Sequence, residues 1–201
     1  MKRLLAALVW AGLLDACTNL QPQPVEQPNV FLLEASPVAT AAQQKAEQII
    51  EVAMPHARAG FDTDQMAYTR RVSEIEYFSR NRWADTPSRM LAPALAQAIE
   101  RSGAFRAVVR DVTAVHPDLR LETELIRLQQ NFTVHPSRVE IAVRVQLVGS
   151  GTPSKLASAQ FEESEVAPSE DPYGGVMAAN RALSRLVGRV AEFCAQQLSQ
   201  P

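Results

Sequence analysis

The sequence predicts an α+β fold, in which a single domain has a mixed, mostly antiparallel sheet that is covered on one face by two helices. The first observation is the run 139–147, where apolar residues alternate with polar or small ones, as in a strand with one buried face. The second is a pair of segments, 87–102 and 176–194, whose apolar residues recur three and four positions apart, as on one face of a helix. The third is a series of short apolar runs elsewhere in the chain, which indicates further strands.

The N-terminus has the pattern of a secretory signal peptide. Lys2 and Arg3 precede the apolar run 4–14, which is too short to span a bilayer. The run leads into Leu14-Asp15-Ala16-Cys17, where a Leu three residues before a Cys and a small residue directly before it resemble the bacterial lipobox. This resemblance implies that residues 1–16 are removed, that the Cys17 thiol is diacylated and that the new N-terminus is acylated.

Asp15 departs from the lipobox pattern, in which this position usually holds a small uncharged residue. Plain secretion and a retained anchor therefore stay open, although Leu14 fits poorly at the position that ordinary signal peptidase reads. In the lipoproteins that this motif resembles, an Asp directly after the Cys tends to retain the protein at the inner membrane. This chain has Thr18 at that position, so the resemblance implies the outer membrane. Residues 17–28 then combine the lipidated Cys with a Pro/Gln-rich tether, which reaches about 30–35 Å when extended.

Composition favours one ordinary domain. The 201 residues are 46% hydrophobic and 21% charged, so residues 29–201 can form a domain with a substantial core. The net charge of −2 gives no reason to expect a nucleic-acid partner. The chain has 2 cysteines, and lipidation of Cys17 would leave Cys194 without a disulfide partner. Cys194 lies on an apolar helix face, so we expect a small buried side chain rather than a reactive thiol.

Short strands and loops are predicted for the first part of the domain. In chain order they are a strand at 30–33, a helical turn or loop at 41–48, a strand at 49–54, a loop at 56–65, and a hairpin of 66–69 with 74–80. Pro55 stops the second strand, because proline cannot donate to a sheet. Ile75 and Tyr77 are expected to face the same side of the hairpin.

The next segment is a helix with recognisable ends. Thr86 or Asp85 can accept hydrogen bonds from the free N–H groups of the first turn, and Pro87 suits the first helical position. Gly103 can adopt the left-handed conformation that ends a helix. Pro93 removes one helical hydrogen bond, so we expect a kink there or a helix that restarts near it. The apolar face of this helix comprises Leu91, Ala94, Leu95, Ala98 and Ile99.

The segment 77–109 combines an aromatic-rich strand, Arg82-Trp83, Pro87 a few residues later, an Ala/Leu helix and the sequence Gly103-Ala-Phe105. This pattern resembles the ABC-type transport auxiliary lipoproteins, which include PqiC-like proteins and similar subunits of Mla-type lipid transport systems. In element order the resemblance covers most of residues 29–198. It implies an MCE-domain periplasmic protein as a partner and, through it, an ABC permease and ATPase.

The second half alternates more clearly. The predicted strands lie at 105–109, 119–129, 139–147 and 157–166, with a turn at 149–153. The last three are joined by short connections, which is typical of an antiparallel meander. Leu119, Leu121 and Leu125 share a face, but Ile126 and Leu128 shift the phase, which predicts a bulge or a strong twist.

A second amphipathic helix follows a loop at 168–175. Glu170 and Asp171 lie near its start, where negative charge is favoured. Its apolar stripe comprises Val176, Ala179, Leu183, Leu186, Val187, Val190, Phe193 and Cys194. Its polar side comprises Arg181, Arg185, Arg189 and Gln196. We expect this helix to cover the sheet beside the 87–102 helix.

Few residues suggest chemistry. His56, His116 and His135 are far apart and have no Cys partner, which disfavours a metal site. The segment 149–155 lacks the Gly-Lys-Ser/Thr arrangement of a phosphate loop, and a solvated strand edge is favoured over a catalytic pair for Glu162, Glu163 and Glu165. No catalytic residue, cofactor or metal ligand is assigned.

Trp83 has two interpretations, a buried cap over the start of the 87–102 helix or an exposed hot spot for a partner, and we favour the buried cap. The favoured function is a non-catalytic, lipid-anchored auxiliary subunit of an ABC/MCE-type lipid transport system, which docks the transport conduit at the periplasmic face of the outer membrane. A homo-oligomer is compatible with it. The alternative is an outer-membrane assembly or secretion scaffold, and a periplasmic enzyme is disfavoured.

Overall fold

The structure is a computed structural model that describes residues 27–36, 45–110, 116–150 and 156–198. These residues form nine strands and two helices: β1 (Asn29–Phe31), β2 (Ile49–Val52), β3 (His56–Ala57), β4 (Gln65–Thr69), β5 (Glu76–Trp83), α1 (Pro87–Ser102), β6 (Ala107–Val109), β7 (Leu119–Asn131), β8 (Arg138–Gly149), β9 (Leu156–Val166) and α2 (Pro172–Leu198). The predicted signal peptide, the predicted lipid attachment site Cys17 and most of the predicted tether fall outside the described residues.

Strand β7 is the centre of one open, mixed sheet. One of its edges pairs antiparallel with β8, which in turn pairs antiparallel with β9. Its other edge pairs in succession with three parallel strands: β2, β3 and β4. Strand β6 extends the sheet beyond β2, whereas β5 and then β1 extend it beyond β4. The α+β fold and the antiparallel meander of β7, β8 and β9 are therefore confirmed.

The predicted phase shift in β7 is also confirmed. The register with β8 slips between Leu125 and Arg127, so Ile126 is the extra residue of a bulge. Because of this bulge, Leu125 and Leu128 are both buried although three positions separate them. The strand thus keeps one buried side toward the helices both before and after the bulge.

Helices α1 and α2 pack side by side on one face of the sheet, as predicted. The core between the layers is apolar, and its members at 0% exposure include Ile50, Leu95, Ile99, Leu121, Val143, Leu147, Leu183 and Leu186. The opposite face of the meander carries Glu140, Arg144 and Gln146, of which the last two are exposed. The alternation in 139–147 therefore predicted the buried and the wet face correctly.

One alternative for the interior of α1 and the expected cap at its start are wrong. The helix continues through Pro93 rather than restarting there, whereas a kink at Pro93 stays a prediction. Both Pro93 and Arg89, whose carbonyl loses its helical partner, are exposed, so water can satisfy that carbonyl. The Thr86 side chain makes no capping bond, and Asp85 Oδ1 accepts the N–H of Thr86 instead. The left-handed Gly103, with φ of 67°, ends the helix as predicted.

Helix α2 begins earlier than predicted, at Pro172, so the loop ends at residue 171. The Oδ1 atom of Asp171 accepts the N–H of Gly174 at 2.7 Å, which is the bond of an N-terminal cap, and Pro172 takes the first helical position. The loop expected at 56–65 is wrong at its two ends, because His56 and Ala57 form β3 against β7 and Gln65 begins β4.

Smaller differences concern strand ends. The predicted strands at 30–33, 49–54 and 105–109 are each shorter, because the structure pairs only 29–31, 49–52 and 107–109. The hairpin of β4 and β5 forms as predicted, and β5 continues to Trp83. Of the predicted elements at 41–48 and 149–153, residues 41–44 and 151–153 lie outside the described part of the chain.

Candidate functional site

The Arg82-Trp83 pair lies at the end of β5. Trp83 is 4% exposed and shares the wall of a cavity of about 10 Å³ with residues of β4, β7, β8 and α2. Such a volume is at most enough for one water molecule, so the indole ring is closely packed. Arg82 points outward, and its guanidinium lies 3.5 Å from the carboxylate of Asp64. Trp83 is therefore a core residue, whereas Arg82 forms an ion pair at the surface.

A polar network joins the same region to the start of α2. Gln130 is 3% exposed and donates from Nε2 to the Ser137 hydroxyl at 3.0 Å. The backbone N–H of Ser137 donates to Glu170 at 2.8 Å, which holds the pKa of the Glu170 carboxyl below its ordinary value. A Cβ atom on Gly175 would overlap Oε1 of Gln130, so glycine permits this close approach. These contacts lock the β7–β8 hairpin onto the helix.

A groove of about 460 Å³ opens on the face of the sheet away from the helices, and we call it the open-face groove. Its apolar lining comes from Phe61, Val72 and Ile75, and Val72 is 86% exposed on the β4–β5 turn. Its polar lining includes Arg127 and Asn131 of β7. The volume lies within the range of ligand pockets, and neither histidine nor cysteine lines it. The lining thus combines apolar side chains with polar ones that can form hydrogen bonds.

The histidines are not brought together. His56 lies in β3, whereas His135 lies in the β7–β8 turn with Nδ1 3.7 Å from Glu170. Within the described ranges, no group of three or more His, Cys, Asp or Glu side chains could hold a metal ion. Cys194 is fully buried, and burial raises the pKa of its thiol to about 12. The thiol is therefore protonated at neutral pH, in the inert state of a buried cysteine.

The acidic run on β9 is only partly the solvated edge that was expected. Glu163 and Glu165 face α2, and their side chains are 14% and 24% exposed, whereas that of Glu162 is 54% exposed. Three arginines of α2, which we call the arginine ladder, meet this face of β9: Arg181, Arg185 and Arg189. Arg181 donates to Glu165 at 2.8 Å, and this bond holds the pKa of the Glu165 carboxyl below its ordinary value.

Sequence reasoning placed these arginines on the polar side of the helix and missed the ladder. The sequence does contain a signal for the ladder, because arginines four residues apart on a helix can match acidic residues two apart on a strand.

The whole fold can be compared with known proteins. A family model described as the ABC-type transport auxiliary lipoprotein component matches residues 31–191. The chain belongs to this family. The match runs from β1 into the last turns of α2, so it includes the Trp83 region, the open-face groove and the arginine ladder.

Solved structures share the fold of this transport auxiliary lipoprotein. One is protein XCC0632 from Xanthomonas campestris, of the DUF330 family, with a TM-score of 0.74, 20% identity, and coverage of 88% of this chain and 100% of that chain. Another is the hypothetical protein CT253 from Chlamydia trachomatis, with a TM-score of 0.52, 7% identity, and coverage of 76% and 96%. No curated protein matches the chain. In the described part of the chain, neither helix is both long and apolar enough to cross a bilayer.

Proposed function

We propose that this protein is a non-catalytic, lipid-anchored auxiliary subunit of an ABC/MCE-type envelope lipid transport system, which docks the transport conduit at the outer membrane. The observation that carries the proposal is the family match over residues 31–191. The proposed partners are an MCE-domain periplasmic protein and, through it, an ABC permease and ATPase. The ATPase supplies the energy, and this chain supplies a docking surface.

The charged groups of the domain support a binding role. Glu51 is buried, and Arg120 contacts both of its oxygens at 2.7 and 2.8 Å. Glu124 bridges Arg58 and Arg144, and the bond from Arg58 keeps the pKa of the Glu124 carboxyl below its ordinary value. Both carboxylates are partners in ion pairs that hold strands together. The lowered pKa of the Glu124 carboxyl moves it away from the working pH, whereas a general acid or base needs a pKa near that pH.

The proposed anchor explains how a small docking domain acts at a membrane. Residues 1–16 are the proposed signal peptide and Cys17 the proposed lipid attachment site. More than one acyl chain holds a protein firmly at a bilayer, whereas one chain gives marginal binding. Thr18 supports sorting to the outer membrane, because the position after the lipidated Cys does not hold the Asp of inner-membrane retention. Confinement beside the membrane raises the effective concentration of the domain for a conduit that reaches across the periplasm.

The test is co-purification from solubilised envelopes with a tagged full-length chain, followed by crosslinking. We expect recovery of an MCE-domain protein. The Cys17→Ala variant is the matched control, because it keeps the domain and removes the anchor, and it should recover less partner. Intact mass of the mature protein reports whether Cys17 carries acyl chains. Repeated absence of an MCE protein, with a phenotype independent of the transporter genes, would favour the assembly or secretion scaffold.

A further inference from the structure

Four large apolar side chains on or beside β1 are exposed. Val30 is 58% exposed and Leu32 is 55% exposed, although both are aliphatic. Across the strand, at the start of α2, Tyr173 is 60% exposed and Met177 is 40% exposed. We call these four residues the β1 apolar patch. Large exposed apolar patches mark interaction sites on soluble domains.

The four side chains border one ridge. Burial alternates along the segment 30–34, so Val30 and Leu32 face outward while Phe31 and Leu33 face the helices. The Phe31 ring contacts the Tyr173 ring, with centroids 6.3 Å apart. Met177 follows Tyr173 by four residues and so lies on the same face of α2. The ridge therefore consists of the β1 edge with apolar residues on both flanks.

The position of the patch indicates its occupant. Within the described residues, β1 pairs with β5 alone, so its other edge is open. Residues 1–26 precede this strand directly, and the described chain begins at Gln27, two residues before β1. Whatever holds Cys17 therefore holds this ridge near it, within the reach of the tether of about 30–35 Å.

We propose that the β1 apolar patch rests on the lipid surface to which Cys17 is anchored. The anchor itself is part of the proposed function, on which this inference rests. Tyrosine suits the interface because it has an apolar ring and a polar tip, and Val, Leu and Met add apolar area. Four side chains alone would bind lipid weakly, but the tether raises the effective concentration of the bilayer at the ridge.

A second copy of the chain fits the patch less well. Stable protein interfaces bury about 800 Å² and 20–30 residues on each side. The patch offers four apolar side chains and an edge strand of three residues. A bilayer needs no matching surface, so a small ridge is sufficient.

The test uses single cysteine spin labels in the acylated full chain. The thiol of Cys17 is blocked by its lipid and Cys194 is 0% exposed, so an introduced cysteine is the one reactive thiol. Leu32→Cys and Met177→Cys place labels in the patch. Ser158→Cys on β9, at the opposite edge of the sheet, is the matched control and is also exposed. The protein is reconstituted in vesicles of phosphatidylethanolamine and phosphatidylglycerol.

We expect the two patch labels to collide more with oxygen and less with a water-soluble nickel complex than the Ser158→Cys label. The proposal is overturned if all three labels collide equally with the nickel complex while the acyl chains hold the protein on the vesicles. The patch labels could instead become protected from the nickel complex as the protein-to-lipid ratio rises, with no gain in oxygen collisions. That result also overturns the proposal and indicates that a second copy or another protein covers the patch.

If the intact mass of the mature protein shows no acyl chains, Cys17 is not an anchor, and this result counts against the proposed function. The labelled variants are then made with Cys17→Ala, so that the introduced cysteine stays the one reactive thiol, and are mixed with the same vesicles at high lipid concentration. Oxygen-accessible patch labels would still support lipid binding by the ridge, and water-exposed labels would overturn it.

Discussion

Arg185 of α2 donates from Nη2 to the backbone carbonyl of Ser164 on β9, at 3.4 Å. The same bond repeats from Arg181 to Val166 at 3.1 Å and from Arg189 to Glu162 at 3.2 Å. Four helical residues rise about 6 Å and two strand residues rise about 6.8 Å, so the two spacings nearly match. The arginine ladder therefore covers outward-facing carbonyls of an edge strand and leaves them less open to pairing with another strand. The Ser164 carbonyl also accepts a bond from Arg138, at 3.4 Å.

The ladder predicts a variant that aggregates without losing much stability. Replacing Arg181, Arg185 and Arg189 together with Lys keeps the charge and removes the planar fork that reaches carbonyl and carboxylate at once. We expect faster aggregation on heating, measured by light scattering, because the β9 edge is exposed. The melting temperature should fall little, because lysine keeps a positive charge opposite Glu163 and Glu165 and the arginine side chains it replaces are 43–50% exposed.

Arg144→Lys is the control for the ladder. The Arg144 side chain is 45% exposed, as is that of Arg185, but it lies on the open face and pairs with Glu124. We expect unchanged aggregation. Equal aggregation of the triple variant and wild type would show that the edge is protected by something else.

Two glycines of α2 predict opposite effects of one substitution. A Cβ atom on Gly174 would overlap the backbone carbonyl oxygen of Ser169, whereas nothing lies within 4 Å of a Cβ on Gly188. We expect Gly174→Ala to destabilise the domain, because backbone must move. Gly188→Ala should stabilise it by about 0.5–1 kcal/mol, the helical preference of alanine over glycine. Urea unfolding measures both, and a neutral Gly174→Ala would contradict the described contact.

Asp171 predicts part of the pH dependence. Its bonds from the Gly174 N–H and the Ser169 hydroxyl hold the pKa of the Asp171 carboxyl below its ordinary value. A depressed pKa stabilises the folded state above the unfolded pKa, and this stabilisation is lost as pH falls through the folded pKa. Thermal melts from about pH 7 to about pH 3 should therefore show declining stability.

The Asp171→Asn variant separates charge from capping. Asparagine still caps the helix but does not titrate, so we expect a smaller decline on acidification than in the wild type. Asp171→Ala loses the cap and should cost about 0.5–2 kcal/mol at neutral pH. The decline does not vanish in either variant, because Glu170 also has a depressed pKa. Identical pH profiles for wild type and Asp171→Asn would refute the assignment.

Trp83 predicts a large loss of stability without a direct role in docking. The side chain is 4% exposed, and truncation of a buried Trp to Ala costs about 3–5 kcal/mol. This is a large share of the total stability of a domain, about 5–15 kcal/mol. We expect a much lower melting temperature for Trp83→Ala and a smaller change for Trp83→Phe. An unchanged melt with lost partner recovery would favour the hot-spot interpretation.

The elements that sequence predicted well have long periodic patterns. The alternation in 139–147 predicted β8 and its buried face, and the phase shift at Ile126 predicted the bulge. By contrast, β3 has two residues and no periodicity, so its pairing with Glu124 and Leu125 comes from the fold around it. The parallel partners of β7 likewise lie far from it in sequence, and short strands contain little information about such pairing.

The features of the candidate site likewise differ in how far the sequence could predict them. The start of α2 was missed because Gly174 and Gly175 indicated a loop, although Asp171-Pro172 is a good capping pair. The open-face groove combines β7 with two separate loops, so no local pattern could predict it. For Trp83 the sequence left two alternatives, a buried cap and an exposed hot spot, because its burial depends on residues of distant strands and of α2 that pack against it.

The order of the strands along the chain has a consequence for synthesis. Ile50 of β2 pairs with Leu119 and Ala67 of β4 pairs with Gln129, so β7 is the partner of strands that precede it. A growing chain emerges N-terminus first, at about 5–20 residues per second. The first half of the domain therefore has apolar strands but no central strand to join until most of the chain is made. This nascent half is where we expect dependence on a holding chaperone.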